Sequence, residues 1–428
     1  MPGAIGPDGL GVAERRLLLT LLRPSVETQP ALRADAGDWV RLAEAIPWGL
    51  APYVYWSATR VAASAAIPKE PLEQLRAVTG RLALTRLRQQ AAFRSVCVGL
   101  REANVPHLVL KGAALAHLVY PDPGLRPMSD VDLWVPADRL EQATAILMAQ
   151  GLEYPERVRL GAPVGSPPDR ASSRTLEPPG GGVTIELHGS VPSLHGVSWG
   201  TFDAAWRSAV PATLHHIPAH ILCPFHFLTH VGLHAARRER FRTGLLPLLD
   251  IALLADHWTR EWDWDGMAAA WNRERVGPWM LLCLTLARDL LAAPIPHDLE
   301  RRCGVPVGWT EMRQLAEEQL WDGPRYRFLL DPMRVRANRG LLGWMRQRIV
   351  DYYWHSPQPR PVAEVVRDAF RRARFDLTVK LPRHVRGWRS GVVDLGSLRR
   401  GAALAHARRQ LEQLVLGAGG LGSPDSEP

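Results

Sequence analysis

LVLKGAALAHLVYPDPGLRPMSDVDLWV, residues 108–135, is the stretch whose reading decides the fold. Its first residues, with His107, make a short apolar run after Pro106 and predict a buried strand. Lys111-Gly112 follows, and 111–120 continues as a short helix. PDPGLRP, 121–127, has three prolines and a glycine and predicts a loop. Residues 130–135, DVDLWV, predict a second strand. Pro136 then opens a helix at its first turn, running to about Gln150, with Gly151 as its stop.

Outward from this stretch the texture is mostly helical. Towards the N-terminus, Arg15 to Leu22, residues 38–66 and Pro71 to Ala103 carry helical patterns. In the last of these, Leu75, Val78, Leu82, Leu84, Leu87, Ala91, Val96 and Val98 recur at helical spacing. Towards the C-terminus a strand is expected near Leu152 to Tyr154, and residues 161–181 are a Pro/Gly/Ser-rich excursion. VTIELHGSV, 183–191, alternates and is rich in β-branched residues, so it predicts a strand. From about Ser193 the pattern is helical almost to the end, with segments near 220–238, 244–258, 266–273, 277–292, 309–320, 338–353, 361–374 and 399–416. The fold class expected is α+β, a small mixed sheet embedded in mostly helical flanking segments. The divisions expected are a helical segment 1–80, a core 81–210, a helical unit 211–330 completing a cleft, and a basic helical region 331–428 with a disordered tail.

The chemistry concentrates on Asp130-Val131-Asp132. On a strand, residues i and i+2 share a face, so two carboxylates converge there while Val131 packs on the other side. Adjacent carboxylates raise each other's pKa unless a cation lies between them. An oxygen-rich cluster suits Mg²⁺, which keeps waters and substrate phosphates in its shell. Glu186, mid-strand in 183–188, is the candidate third carboxylate if its strand pairs beside 130–135; otherwise it is a solvent-facing strand residue. His188 shares its face and could position an acceptor or a phosphate. Lys111-Gly112 lies where a strand gives way to a helix. A helix N-terminus offers free N–H groups to an anion, Gly lets a backbone approach, and Lys111 adds a point charge. Arg126 and Ser129, just upstream of the aspartates, stand within reach of a triphosphate, and a guanidinium fits phosphate bidentately.

Composition bounds the alternatives. Only Lys69, Lys111 and Lys380 are lysines among 52 basic residues, so a lysine in the motif marks a place where a compact ammonium suits. Cys97, Cys223, Cys283 and Cys303 form no CxxC pair, which argues against a zinc knuckle or disulfide framework. No signal peptide or membrane-spanning run is expected, and the reading is cytoplasmic. Net charge is +9, and Met333 to Gln410 carries 17 Arg and 1 Lys against 5 carboxylates. That asymmetry fits a solvated helical surface or a contact with nucleic acid or an anionic membrane. Trp344, Tyr352, Tyr353 and Trp354 interleave there with Arg346 and Arg348, in a pattern suited to helix packing, to base stacking or to a membrane surface. His226, His230 and His234 recur at i, i+4 and i+8; without an H-E-x-x-H motif they read first as structural histidines near the cleft.

Each piece is common alone; the ordered set is specific. It resembles the DNA polymerase β-like nucleotidyltransferase superfamily, with its glycine turn, D-h-[DE] strand and later acidic residue. More closely it looks like the bacterial family of uncharacterised nucleotidyltransferases, typified by a KG turn, an Arg before the D-x-D and an E-L-H strand. Lys111, Gly112, Arg126, Asp130, Asp132, Glu186 and His188 carry the match, within about 85–260. The spaced histidines and Asp250-Ile251-Ala252 are similar to that family's following helices. Two departures are Ala113, where the superfamily prefers Ser or Gly, and a longer spacer to Asp130. The resemblance implies a nucleotidyltransferase core with Mg²⁺ held by Asp130, Asp132 and Glu186. It implies phosphates held by Lys111, Gly112, Arg126, Ser129 and His188. A nucleoside monophosphate would pass from a nucleoside triphosphate, ATP among the four, to an unidentified acceptor, with small molecule, peptide or protein ahead of nucleic acid. The competing reading is a catalytically inactive adaptor, or a nucleic-acid-binding protein that uses its basic C-terminal half.

Overall fold

The computed structural model describes residues 10–24, 34–61, 67–155, 173–179, 183–239, 241, 243–305 and 309–326. The basic stretch 333–410 and the aromatic cluster at 344–354 lie outside the described residues.

Four helices lead in: α1 (Val12–Leu21), α2 (Ala36–Ala45), α3 (Ala51–Val61) and α4 (Lys69–Glu102). A reciprocal cap starts α2, with Asp38 N–H donating to Asp35 and Asp35 N–H donating back to Asp38. α4 has 34 residues, so at 1.5 Å per residue it runs about 50 Å and spans the sheet region. Then come β1 (Leu108–Val109), α5 (Lys111–Leu118), β2 (Asp130–Trp134), α6 (Leu140–Ala149), β3 (Ser173–Leu176) and β4 (Thr184–His188). α7 (Phe202–Arg207) precedes a hairpin of β5 (Val210–Leu214) and β6 (Ile217–Ile221). The rest of the described chain is helical: α8 (Pro224–Leu233), α9 (Leu246–His257), α10 (Trp264–Arg273), α11 (Gly277–Leu291), α12 (Leu299–Cys303) and α13 (Trp309–Tyr326).

The architecture is the α+β class expected: among the described residues, one six-stranded mixed sheet in order β3-β4-β2-β1-β6-β5 lies among thirteen α-helices. β2 pairs parallel to β4 and antiparallel to β1, and β6 pairs parallel to β1. Val131, Leu133, Ile185 and Leu187 are wholly buried, as the period of two requires. Two parts of the sheet depart from expectation. β3 falls inside the Pro/Gly/Ser-rich stretch 161–181, and β5 and β6 occupy 210–221, where only helix was read. The sheet therefore continues past residue 210. The bridge Glu153↔Glu177 stands where a strand near 152–154 was expected.

α8, α9 and α11 pack on one another, and α11 buries eleven of its fifteen residues. A helix apolar nearly all round belongs in a core. α9 is similarly buried, yet carries Asp250 in its middle. That carboxylate is what ties the helices to the sheet loop. Arg126 grips it through Nε at 3.0 Å and Nη2 at 2.8 Å, and Tyr120 Oη donates to it at 2.7 Å. Asp250 is buried and Arg126 largely so, with 4% and 13% of their side chains exposed.

Breaking such a pair by removing one partner typically costs about 3–5 kcal/mol, because the other charge stays buried. Arg126→Met and Asp250→Leu should each lose stability of that order in urea unfolding. The double variant should regain much of it. Single variants that unfold like wild type would show that the pair does not hold the two parts together.

Candidate active site

β2 and β4 lie in register: Asp130 opposite Thr184, Asp132 opposite Glu186, and Trp134 opposite His188. In parallel strands this puts the side chains of both aspartates on the face that also carries Glu186 and His188. The pairing required for Glu186 to join the aspartates is thus present.

Asp132 is the centre. Lys111 Nζ donates to its Oδ1 at 2.7 Å, and His188 Nε2 contacts the same oxygen at 2.8 Å. His188 Nε2 also lies 3.7 Å from Glu186 Oε2. Burial alone would raise the Asp132 pKa; the Lys111 charge and the His188 contact overcome it and hold the carboxyl well below the usual carboxylate range. Lys111 mirrors this. Burial pulls its ammonium down, and Asp132, then Asp130 and Glu186, more than restore it, so its pKa is raised. Asp130 behaves oppositely to Asp132: burial, then the charges of Asp132 and Glu186, push its carboxyl up to about 6. Its nearest donor is Ser129 Oγ, at 3.2 Å.

Backbone geometry delivers Lys111 to this place. Leu110 N–H donates to the Asp132 carbonyl, so the chain passes beside β2 before turning into α5. Lys111 makes that turn with φ of 44°, a left-handed value that costs a residue with a Cβ roughly 1–2 kcal/mol. Strain of this kind gathers where a side chain must be aimed.

Gly112 and Arg126 sit together rather than around an open cradle. A Cβ on Gly112 would lie 2.6 Å from Arg126 Nη1 and 3.1 Å from Met128 Cγ. The space beside the glycine is filled by the chain's own guanidinium, which Asp250 and the Pro127 carbonyl engage. Gln89, from α4, donates to the Met128 carbonyl and pins the same loop. So Lys111, Asp130, Asp132, Glu186 and His188 come together, with Ser129 at the edge and Arg126 drawn towards the helices.

The three histidines of α8 and its end divide. His226 stacks on Trp199 at 3.9 Å and meets Ser208 Oγ at 3.0 Å. His230 is wholly buried, 3.4 Å from Ser193 Oγ, and its Nε2 has no hydrogen-bond partner. Burial, then the Lys111 charge, lowers its pKa to about 3, and Asp132 and His188 act on it as well. It therefore borders the carboxylate site. Tyr120 and Ser193 were not picked out from sequence, and Asp250 was noted only in the Asp250-Ile251-Ala252 likeness, not as the partner of Arg126. For Asp250 the available signals were that likeness and a lone charge in the apolar run 245–255.

Three donors form a compact set fit for a metal: atoms of Asp132, Glu186 and His188 lie within 4.8 Å of one another. No other such group of His, Cys, Asp and Glu occurs among the described residues. Two carboxylates and an imidazole on adjacent strands match the donor types that hold divalent cations. Residues 35–292, more than half of the chain, match the family model described as uncharacterised nucleotidyltransferase. The chain belongs to that family. No curated protein and no solved structure matches it. The match to the uncharacterised nucleotidyltransferases spans α2 through α11, so it takes in both the sheet and the helices that carry Asp250. No described helix is long and apolar enough to cross a membrane.

His230 yields a test of the packing beside the site. Its folded pKa is depressed, near 3, against 6.5 for the free group. Between those values the unfolded chain holds the extra proton. Stability from neutral His230 is complete above pH 6.5 and drains as pH falls, at about 1.4 kcal/mol per pH unit. Urea unfolding of His230→Met between pH 6 and 4 should show a slope shallower than wild type by about that amount. Equal slopes would mean that His230 takes up its proton in the folded state.

Proposed function

We propose that the protein transfers a nucleoside monophosphate from a nucleoside triphosphate to an acceptor, with a divalent cation held by the carboxylates of β2 and β4. The observation that carries this reading is the in-register pairing of Asp132 with Glu186, with Lys111 lodged on the same aspartate. The order of elements around it, glycine turn, helix, D-x-D strand and parallel Glu strand, supports membership of the DNA polymerase β-like superfamily.

Asp132 stays ionised and offers a fixed negative charge, while Asp130 gains most from a cation because its carboxylate is the less stable of the two. A bound divalent cation, magnesium where its protein donors are oxygens, would neutralise phosphate charge and acidify an attacking hydroxyl. Lys111 is the first residue of α5, and a helix start leaves backbone N–H groups without intrahelical partners. An incoming triphosphate offers the Lys111 ammonium several anionic oxygens in place of one carboxylate. Ser129 lines the approach to Asp130. The acceptor's hydroxyl, or a similar group, attacks the α-phosphorus; the α–β phosphoanhydride bond breaks, pyrophosphate leaves and the acceptor's proton is released. Small molecules, peptides and proteins are the acceptor classes favoured, and the cytoplasm is the compartment proposed.

Calorimetry with non-hydrolysable analogues of ATP, CTP, GTP and UTP, with and without Mg²⁺, tests the reading. One analogue should bind wild type only with metal, and Asp130→Asn/Asp132→Asn should abolish it. The matching turnover should fall by roughly a hundredfold or more, the scale of losing charge stabilisation in a transition state. If no analogue binds the folded protein, the adaptor reading takes its place.

A further inference from the structure

We propose that the position bounded by Asp132, Glu186 and His188 is a mixed nitrogen–oxygen metal site that selects Mn²⁺ over Mg²⁺, with His188 as a direct ligand. The inference refines the nucleotidyl-transfer reading, but its test does not depend on turnover.

The first argument is the donor set. A site built from Asp130, Asp132 and Glu186 would be all oxygen. Yet the three residues whose donor atoms lie within 4.8 Å of one another are Asp132, Glu186 and His188. Asp130 is outside that set, its carboxylate beside Ser129. Mg²⁺ favours oxygen ligands and gives up water reluctantly. Imidazole shifts a site towards first-row transition metals, among which Mn²⁺ is the one closest to Mg²⁺ in its taste for carboxylate and water.

The second argument is charge. Lys111 Nζ lies 2.7 Å from Asp132, so one of the two carboxylates in the set is already partly neutralised by a resident ammonium. Attraction between bare charges is what Mg²⁺ depends on most, and here it is reduced. A bond to a neutral nitrogen does not suffer in that way.

The third argument is the imidazole itself. His188 is more than nine-tenths buried, and its Nδ1 has no hydrogen-bond partner. All its polar contacts are made by Nε2, which sits 2.8 Å from Asp132 and 3.7 Å from Glu186. Ligation through Nε2 requires the neutral tautomer with its hydrogen on Nδ1. In the metal-free site Nε2–H donates to the ionised Asp132; ligation moves that hydrogen to Nδ1, which no partner occupies. His230, also wholly buried, lies close enough for Asp132 and His188 to act on it, and its own Nε2 is unpartnered.

The experiment is a titration of the full-length protein with MnCl₂, followed by electron paramagnetic resonance, with MgCl₂ as competitor and no nucleotide present. Electron spin-echo modulation should show a directly coordinated ¹⁴N nucleus on bound Mn²⁺. In His188→Asn that modulation should vanish. Mn²⁺ affinity should drop by roughly tenfold or more, the range seen even for partners that only orient a ligand. Mg²⁺ affinity should change much less. His188→Gln serves as the second variant should the first not fold. Bound Mn²⁺ without nitrogen modulation in wild type would overturn the proposal, and so would modulation that survives both substitutions, or an absence of Mn²⁺ binding. The nucleotidyl-transfer reading fails on a different result, the absence of any triphosphate binding, so the two failures are distinguishable.

Discussion

The structure around the site depends on one ionised carboxylate. Asp132 is almost wholly buried on a central strand, where a bare charge would be costly. It is kept charged because an ammonium and an imidazole both meet one of its oxygens. That requirement reaches back into the backbone. Lys111 adopts a left-handed conformation to reach it, and Leu110 is hydrogen-bonded to the Asp132 carbonyl just before the turn. It reaches sideways too, since His188 arrives through the register of β4 on β2.

The loop between α5 and β2 is held by a separate set of forces. Arg126, Asp250 and Tyr120 form a hydrogen-bonded group that fuses loop and helical core, and Gln89 fastens Met128 from the other side. Gly112 belongs to this arrangement because only a residue without a Cβ leaves room for the Arg126 guanidinium. The glycine and the arginine are therefore one feature. Their distance in sequence hides this, since the loop must fold back before the two meet. A guanidinium in the right place for a phosphate on sequence grounds is here satisfied by a carboxylate from more than a hundred residues away.

The site was legible in sequence to the extent that it rests on local periodicity. The period of two placed Asp130 and Asp132 on one face, and Glu186 and His188 on another strand's face. What joined the faces was strand pairing, which one sequence does not contain. The same limit explains β5 and β6. Their turn is His215-His216, both left-handed, with φ of 50° and 62°, where Asn-Gly or Asp-Gly is the usual hairpin signal. His215 packs against His117 and Phe93, so ring contacts compensate for the conformation and remove the local cue. Pro211 and Pro218 lie inside these strands and weaken their pattern further. β3 escaped because Arg174 and Ser173 make it polar, although it pairs with β4 along its whole length. The pairing of Asp250 escaped for the reason already given for Arg126: its partners lie far away in the chain.

Lys111 shows how composition and geometry bear on each other. In a chain that uses lysine three times among 52 basic residues, arginine at this position would be the unremarked choice. A guanidinium would engage Asp132 through a planar fork, as Arg126 does Asp250, and such a pair is held by two directional bonds. An ammonium makes a single contact to one oxygen and carries three donors on a flexible stem. It can exchange a carboxylate oxygen for another anion without dismantling a bidentate geometry. The Arg126–Asp250 and Lys111–Asp132 pairs thus differ in kind. The one between loop and helices is built to stay closed, and the one on β2 is built from groups that can change partners.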